Sequence, residues 1–148
     1  MLESFQFDQR DLDFLRNVGF ADDFLTYLKD FRFTGTIHAF REGDIVFPNI
    51  PVVRVEAPMI EAQIVETMLL NMLNFESLIA TRAVRMKIVA GERSLIDFGL
   101  RRAQGLGAIH ASRAAVIGGF QSTSNMLSAD LFGLSSTGTM AHSWIQSY

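Results

Sequence analysis

The sequence contains no cysteine and no run of apolar residues long enough to span a bilayer. The lack of cysteine excludes disulfides and thiolate metal sites, and it makes a cytoplasmic location the default expectation. No charged segment followed by an apolar segment opens the chain, so neither a secretion signal nor membrane association is expected. A basic excess is also lacking. The formal net charge of −3 and the sequence pI near 5.5 argue against a nucleic-acid-binding protein.

The 148 residues that are present are 49% hydrophobic, which is enough for a packed core and too apolar for a disordered chain. Residues 3–31 are predicted to form short helices, with Asp8 capping the first and Gly19 ending it. Asp22 or Asp23 is expected to cap the next helix. From 33 to 55 the apolar residues alternate with period two, which predicts a small antiparallel unit. Its middle strand would be 45–47.

His38 lies in this predicted antiparallel unit and is expected to be structural or exposed to solvent, because no second ligand lies at metal-binding spacing. Residues 59–90 contain neither glycine nor proline and carry an apolar stripe, which predicts helix up to Gly91. Asn74 is expected to divide this segment into two helices. The glutamates of the segment do not pair as acid and base, so a solvated or interface role is expected for Glu61, Glu66 and Glu76.

After Gly91 the pattern alternates between strand and helix, with strands expected at 94–98, 116–120 and 135–139. Such alternation indicates an α/β fold with a parallel sheet or barrel and right-handed crossovers. Polar residues follow each expected strand, and parallel strands would bring them to one rim. These residues are Arg101 and Arg102, then Ser122, Thr123 and Ser124, then Thr139, His142 and Ser143.

Two adjacent arginines suit a planar anion such as a carboxylate or phosphate, and a histidine can act as base or nucleophile. No acidic residue follows His142, so the order of a serine protease triad is not present, and no carboxylate-rich metal motif is visible. The residues alone therefore predict an anion-binding rim of unknown chemistry. Two alternatives stay open at this point: a solvated arginine pair without a ligand, and a structural His142.

Several blocks of the sequence, in order and over nearly the whole chain, resemble nicotinate phosphoribosyltransferases. The blocks are Gly35–Asp44 with Phe47-Pro48-Asn49, Arg54–Pro58, Glu61-Ala62-Gln63 with Glu66-Thr67, Phe98–Gly105, Gly118-Gly119-Phe120 with Thr123-Ser124-Asn125, and Gly138–Ser143.

This resemblance implies a type II phosphoribosyltransferase, in which an α/β barrel follows a small α+β N-terminal domain. Residues 1–90 would belong to the N-terminal domain, and residues 91–148 would be the first βαβαβ units of the barrel. The family joins nicotinate to phosphoribosyl pyrophosphate, giving nicotinate mononucleotide and pyrophosphate in NAD salvage, assisted by ATP and Mg²⁺. A cytoplasmic homodimer is implied as well.

The resemblance also implies roles for single residues. Arg101 would contact the substrate, Phe98 would lie near the pyridine ring, and Ser143 and Thr139 would line the same pocket. His142 would be the histidine that ATP phosphorylates. Ser124 would occupy the position at which the related nicotinamide enzyme carries an aspartate, and a neutral hydroxyl there suits the nicotinate carboxylate.

The chain departs from the family in length and in one loop, because Gln104-Gly105-Leu106-Gly107 lacks the expected Pro-Asp. The later barrel strands and their phosphate-binding loops would lie beyond Tyr148, so the chain is expected to be a fragment. Two functions remain in view. The first is a portion of the enzyme carrying half of the active site. The second is a truncated, non-catalytic homologue that acts as a binding or dimerisation module.

Overall fold

The computed structural model describes residues 2–148, which form short helices, one long helix and two small sheets. A 3₁₀ turn at Leu2–Ser4 comes first. The helices and strands that follow are α1 Gln9–Val18, α2 Asp22–Lys29, β1 Thr36–Ala39, β2 Val53–Glu56, α3 Met59–Ala90, β3 Ile96–Asp97, α4 Gly107–Ile117, β4 Ser122–Thr123, α5 Met126–Phe132 and α6 His142–Ile145. Within the described residues, no barrel is formed.

The chain divides into two compact units, and the division falls inside α3. Unit 1 contains the residues up to Phe40 together with Val46–Leu69. Unit 2 contains Arg41–Ile45 and Leu70–Tyr148. The boundary expected from the sequence lies at residue 90 and remains a prediction about domains.

The helices of unit 1 begin largely as the sequence indicates. The Asp8 carboxylate accepts the Asp11 N–H at 2.9 Å, Asp11 accepts the Asp8 N–H in return, and Gly19 ends α1 at a φ of 104°. The expected cap of α2 is wrong, because Ala21 precedes the helix and Asp22 is its first residue. As negative charges in the first turn, Asp22 and Asp23 instead complement the helix dipole.

The core of unit 1 is built from leucine and phenylalanine. Leu12, Leu25 and Leu28 are buried together, and Phe31 is only 2% exposed. Phe5 and Phe7 meet Phe31 edge-on, with ring centroids 5.8 and 5.7 Å away. Helices with one apolar face bury large side chains in this way.

The antiparallel unit has two strands rather than the expected three. β1 pairs with β2, with Thr36 opposite Glu56 and Ala39 opposite Val53. The expected middle strand at 45–47 is wrong, because those residues find no ladder partner and lie exposed in the connecting loop. A short run of apolar residues can therefore be found in a connecting loop as well as in a strand.

Two expectations for 59–90 are also wrong. Asn74 does not divide the segment, since α3 runs unbroken to Ala90 before Gly91 adopts a φ of 59°. Glu61 is not solvated. It is 6% exposed and accepts both the backbone N–H and the hydroxyl of Thr34, at 2.6 and 3.0 Å. These bonds compensate the cost of burying its charge.

Unit 2 contains a parallel pair, in which Ile96 lies opposite Ser122 and Asp97 opposite Thr123. A single parallel bridge from Thr123 to Ser136 continues the order. The parallel direction agrees with the sequence prediction, but the middle strand expected at 116–120 is wrong. Helix α4 continues through Ile117, and Gly118 and Gly119 form the turn after it. A short apolar run does not by itself distinguish a helix end from a strand.

Candidate active site

The candidate site begins at the turn that follows β3. One oxygen of the Asp97 carboxylate accepts the Gly99 N–H at 2.8 Å, and the other accepts the Thr123 hydroxyl at 2.8 Å. A side chain at position 99 would lie 2.9 Å from the Asp97 carboxylate, so glycine suits this turn. The chain then enters a 3₁₀ turn, Leu100–Arg102, in which both arginines are exposed.

The segment after β4 is anchored by buried polar side chains. Thr123 is fully buried, and its hydroxyl oxygen accepts the Asn125 N–H at 3.0 Å while its hydrogen goes to Asp97. Asn125 caps α5 by accepting the Ser128 N–H at 3.2 Å. Its amide nitrogen donates to the Ala108 carbonyl at 3.3 Å in α4. Ser124, between these anchors, is half-buried.

The third segment follows the bridge at Ser136. The Thr137 N–H donates to the Thr123 carbonyl at 2.9 Å, and the Thr137 hydroxyl bonds to the Ser122 hydroxyl at 2.8 Å. Beyond this point Thr139, His142 and Ser143 are all exposed, and His142 is the first residue of α6.

The parallel order therefore carries the chain to the same end of the sheet three times, after Asp97, Thr123 and Ser136. The predicted site residues Phe98, Arg101, Ser124, Thr139, His142 and Ser143 all lie on these three segments. Among residues 2–148, no side-chain hydrogen bond or ion pair joins one of them to another. Ser122 and Thr123, which the sequence places on the rim, are instead buried between the segments and hold them together.

Sequence analysis missed the supporting roles of Asp97 and Asn125. The sequence contains a signal for each of these two roles. Asp97 is an acidic residue immediately after apolar Leu95 and Ile96, where a buried carboxylate needs donors. Asn125 immediately precedes a helix, the position at which asparagine is among the preferred caps.

A separate charged cluster in unit 2 connects the 41–45 loop, α3 and α4. The Arg113 guanidinium donates to Glu42 at 2.6 Å and to Glu76 at 3.1 Å, and the His110 ring nitrogen lies 3.3 Å from the other Glu76 oxygen. The hydrogen bond from Arg113 lowers the pKa of Glu42, and Glu42 raises the pKa of Arg113 in turn. None of the predicted site residues belongs to this cluster.

No helix between residues 2 and 148 is both long and apolar enough to cross a membrane. No group of three or more histidine and carboxylate side chains in the same range could hold a metal ion. These residues therefore offer no cluster of ligands that fits the Mg²⁺ implied by the resemblance.

Comparison with known proteins identifies the family. The family profile described as the nicotinate phosphoribosyltransferase (NAPRTase) N-terminal domain matches residues 1–74, which is half of the chain. The chain belongs to the nicotinate phosphoribosyltransferase family. The resemblance noted in the sequence is thereby confirmed.

Individual relatives support the same assignment. Nicotinate phosphoribosyltransferases of Mycobacterium tuberculosis and Bacillus subtilis are each 45% identical to this chain over 149 residues, which is 99% of it. The crystal structure of human nicotinic acid phosphoribosyltransferase superposes with a TM-score of 0.89 at 37% identity and also covers 99% of the chain.

These alignments cover 32%, 30% and 31% of the three relatives, so the chain spans about a third of a nicotinate phosphoribosyltransferase. The mixture of helices and small sheets corresponds to the matched region of the human structure.

Proposed function

We propose that the chain is part of an enzyme that transfers a phosphoribosyl group to nicotinate. In this reaction the pyridine nitrogen forms a bond to the anomeric carbon of phosphoribosyl pyrophosphate, and the bond to pyrophosphate breaks. The products are nicotinate mononucleotide, a precursor of NAD, and pyrophosphate. The observation that carries the proposal is the 45% identity to two nicotinate phosphoribosyltransferases along 99% of this chain.

Within that enzyme, residues 1–90 would form the N-terminal α+β domain and residues 91–148 would begin the α/β barrel. The parallel pairing of β3 with β4, continued by the bridge at Ser136, supports the second assignment. Barrels of this class are closed by parallel strands joined through helices, and α4 and α5 connect these three segments.

Arg101 is proposed to bind the nicotinate carboxylate. It is exposed, and its guanidinium has no ion pair within the described residues, so its donors are available to an anion. Phe98, which is 41% exposed just before the same turn, would pack against the pyridine ring. Ser124 would leave this subsite without negative charge, while Thr139 and Ser143 would line the pocket from the third segment.

His142 is proposed to accept a phosphoryl group from ATP. One ring nitrogen would form a bond to the γ-phosphorus while the bond to the ADP oxygen breaks, leaving a labile phosphohistidine. The exposure of His142 and the lack of a carboxylate partner for it among residues 2–148 support this role, because no described side chain occupies its ring nitrogens.

Arg101 is tested in the polypeptide encoded by the whole gene, by comparing Arg101→Ala with Arg10→Ala. Arg10 is an exposed arginine in α1 that lies outside the site. Loss of a charge-assisted contact costs about 1.5–3 kcal/mol, so kcat/KM for nicotinate should fall about tenfold to a hundredfold. An unchanged kcat/KM together with a lowered melting temperature would show that Arg101 is structural.

His142 is tested with radiolabelled ATP. His142→Ala should lose acid-labile phosphate and uncouple ATP hydrolysis from nucleotide formation. His38→Ala, which alters a half-exposed histidine in β1, should keep both. Normal labelling of His142→Ala would refute the assignment.

Residues 1–148 alone should form no nicotinate mononucleotide, because a pyrophosphate clamp is required for the transfer.

Homodimer formation in the cytoplasm is also proposed, and one observation keeps the non-catalytic alternative in view. In unit 2, α3 exposes the apolar side chains of Leu70, Leu78 and Ile88 to solvent. Exposed apolar surface of this kind can mark a protein–protein interface. These side chains could form an interface in a dimeric enzyme or in a dimerisation module. Sedimentation of the chain gives its oligomeric state. Formation of nicotinate mononucleotide by the polypeptide encoded by the whole gene separates the enzyme from the non-catalytic module.

A further inference from the structure

A groove in unit 2 lies outside the candidate active site and concentrates positive charge. It is bounded by the last turns of α3 and by the segment that leads into β3, and it has a volume of about 650 Å³. Arg82 and Arg85 line it from the helix, and Arg93 lines it from the following turn. Met86 and Val89 supply an apolar wall beside them.

The three arginines are available for a ligand. Arg16, Arg54 and Arg113 each have a carboxylate partner, at distances of 2.6–3.4 Å. By contrast, the guanidinium groups of the groove have no ion pair or hydrogen bond among residues 2–148. Arginine without a protein partner keeps its fork of donors free for phosphate or carboxylate oxygens.

Local charge distinguishes this segment from the rest of the chain. Residues 82–93 contain four cationic side chains and one carboxylate, Glu92, although the whole chain has a net charge of −3. Grouped charges of one sign produce a local potential that concentrates ligands of the opposite sign. The groove should therefore attract an anion that the rest of the surface repels.

Lys87 fixes the turn that carries Arg93. Its ammonium donates to the Gly91 carbonyl at 2.7 Å and to the Arg93 carbonyl at 3.2 Å. These bonds place a cation just beyond the C-terminal end of α3, where the helix dipole would otherwise repel an anion. The backbone at Arg93 is thus held by the Lys87 side chain rather than by a ligand.

We propose that this groove binds an organic diphosphate or triphosphate at a site separate from the one that contains Arg101. Three guanidinium groups can pair with the oxygens of two or more phosphates, and the wall of Met86 and Val89 can cover the apolar part of the same molecule. Neither part depends on the proposed catalytic roles of Arg101 and His142.

The test is calorimetric titration of the whole chain with inorganic triphosphate and, separately, with adenosine triphosphate. Both should bind at low ionic strength, adenosine triphosphate more tightly, and affinity should fall with added salt. The Arg82→Gln/Arg93→Gln double variant should weaken binding at least about tenfold. Arg10→Gln serves as a charge-matched control and should change affinity less than twofold.

Further variants separate this site from the candidate active site. Arg101→Gln should leave triphosphate binding to the groove unchanged, and the double variant should keep the circular dichroism spectrum of the unaltered chain. The proposal is overturned if the chain binds neither probe at millimolar concentration. It is equally overturned if Arg101→Gln abolishes binding, or if the double variant binds as tightly as the unaltered chain.

Discussion

Unit 1 and unit 2 bury different kinds of side chain. The interior of unit 1 consists mainly of leucine and phenylalanine, with Phe31 and Leu28 each 2% exposed. In unit 2, the buried residues are small or polar: Ala83, Ala108, Ser112, Ala114, Ala115, Ser122, Thr123, Asn125, Ser128 and Ala129. The stability of unit 1 is therefore expected to depend on buried apolar area. The stability of unit 2 is expected to depend on close approach of its backbone segments and on hydrogen bonds.

The difference follows from what each unit has to hold in place. Helices α1 and α2 can pack through large side chains at some distance from each other. The parallel segments of unit 2 must instead end together at one edge of the sheet. Hydrogen bonds among the half-buried Asp97 and the buried Thr123 and Asn125 fix the spacing of the segments. A satisfied polar network specifies one arrangement more strictly than apolar contact does.

The largest effect is expected from Phe31→Ala in unit 1. Removal of this buried ring also removes its edge contacts with Phe5 and Phe7, so unfolding free energy should fall by about 3–5 kcal/mol. Phe14→Ala, at a site that is 66% exposed, should change it by less than about 0.5 kcal/mol. Urea unfolding with amide exchange measures both. Equal effects would mean that unit 1 does not depend on this core.

Thr123→Val tests the polar interior of unit 2. The substitution keeps the shape of the side chain but leaves the Asp97 carboxylate oxygen and the Asn125 N–H without their partner. Each unsatisfied group costs about 1–3 kcal/mol, so faster amide exchange is expected in β3, β4 and α5. Thr81→Val, at an exposed position in α3, should be close to neutral. A neutral Thr123→Val would show that apolar packing dominates in unit 2 as well.

Sequence patterns predicted unit 1 better than unit 2. The periodic leucines, Asp8 and Gly19 gave α1 correctly because these signals act within a single turn of helix. The middle strand of unit 2 was placed at 116–120 instead of at Ser122–Thr123. Its two residues are held by partners at Asp97, Ser135 and Thr137, which are distant in sequence. Periodicity carries no information about such partners.

The candidate site shows the same contrast between features that the sequence predicts and features that it does not. Its exposed members, such as Arg101 and His142, are indicated by their positions after expected strands. Their roles are implied by the sequence resemblance and remain predictions. The supporting residues are not predicted from sequence, because the pattern places Ser122 and Thr123 on the rim and the structure buries both. Polar residue type alone does not distinguish a ligand contact from a buried hydrogen bond.

Gly118→Ala tests close approach in unit 2. A Cβ at this position would lie 2.5 Å from the Ala83 Cβ and 2.6 Å from the Ala80 carbonyl, so α3 or α4 would have to shift. Overpacking of this kind typically costs about 1–3 kcal/mol. Gly138→Ala is the matched control, since nothing lies within 4 Å of its Cβ. If Gly118→Ala and Gly138→Ala both leave the melting temperature unchanged, unit 2 does not depend on close approach in the way that distinguishes it from unit 1.

The smallest effect is expected from the ion pair between Glu42 and Arg113. Because the folded state lowers the pKa of Glu42 below its usual 4.5, the pair stabilises the chain above that pH. The contribution disappears as pH falls through the lowered pKa, while Arg113 stays charged throughout.

The Glu42 side chain is 64% exposed, so Glu42→Gln should cost only about 0.2–1 kcal/mol at pH 7. Unfolding measured from pH 7 down to pH 3 should show this difference shrink as pH falls, and Glu66→Gln, at an exposed position, is the control for loss of one surface carboxylate. A difference that persists unchanged at pH 3 would mean that Glu42 acts through packing, and charge would then have no part in how the 41–45 loop is held in unit 2.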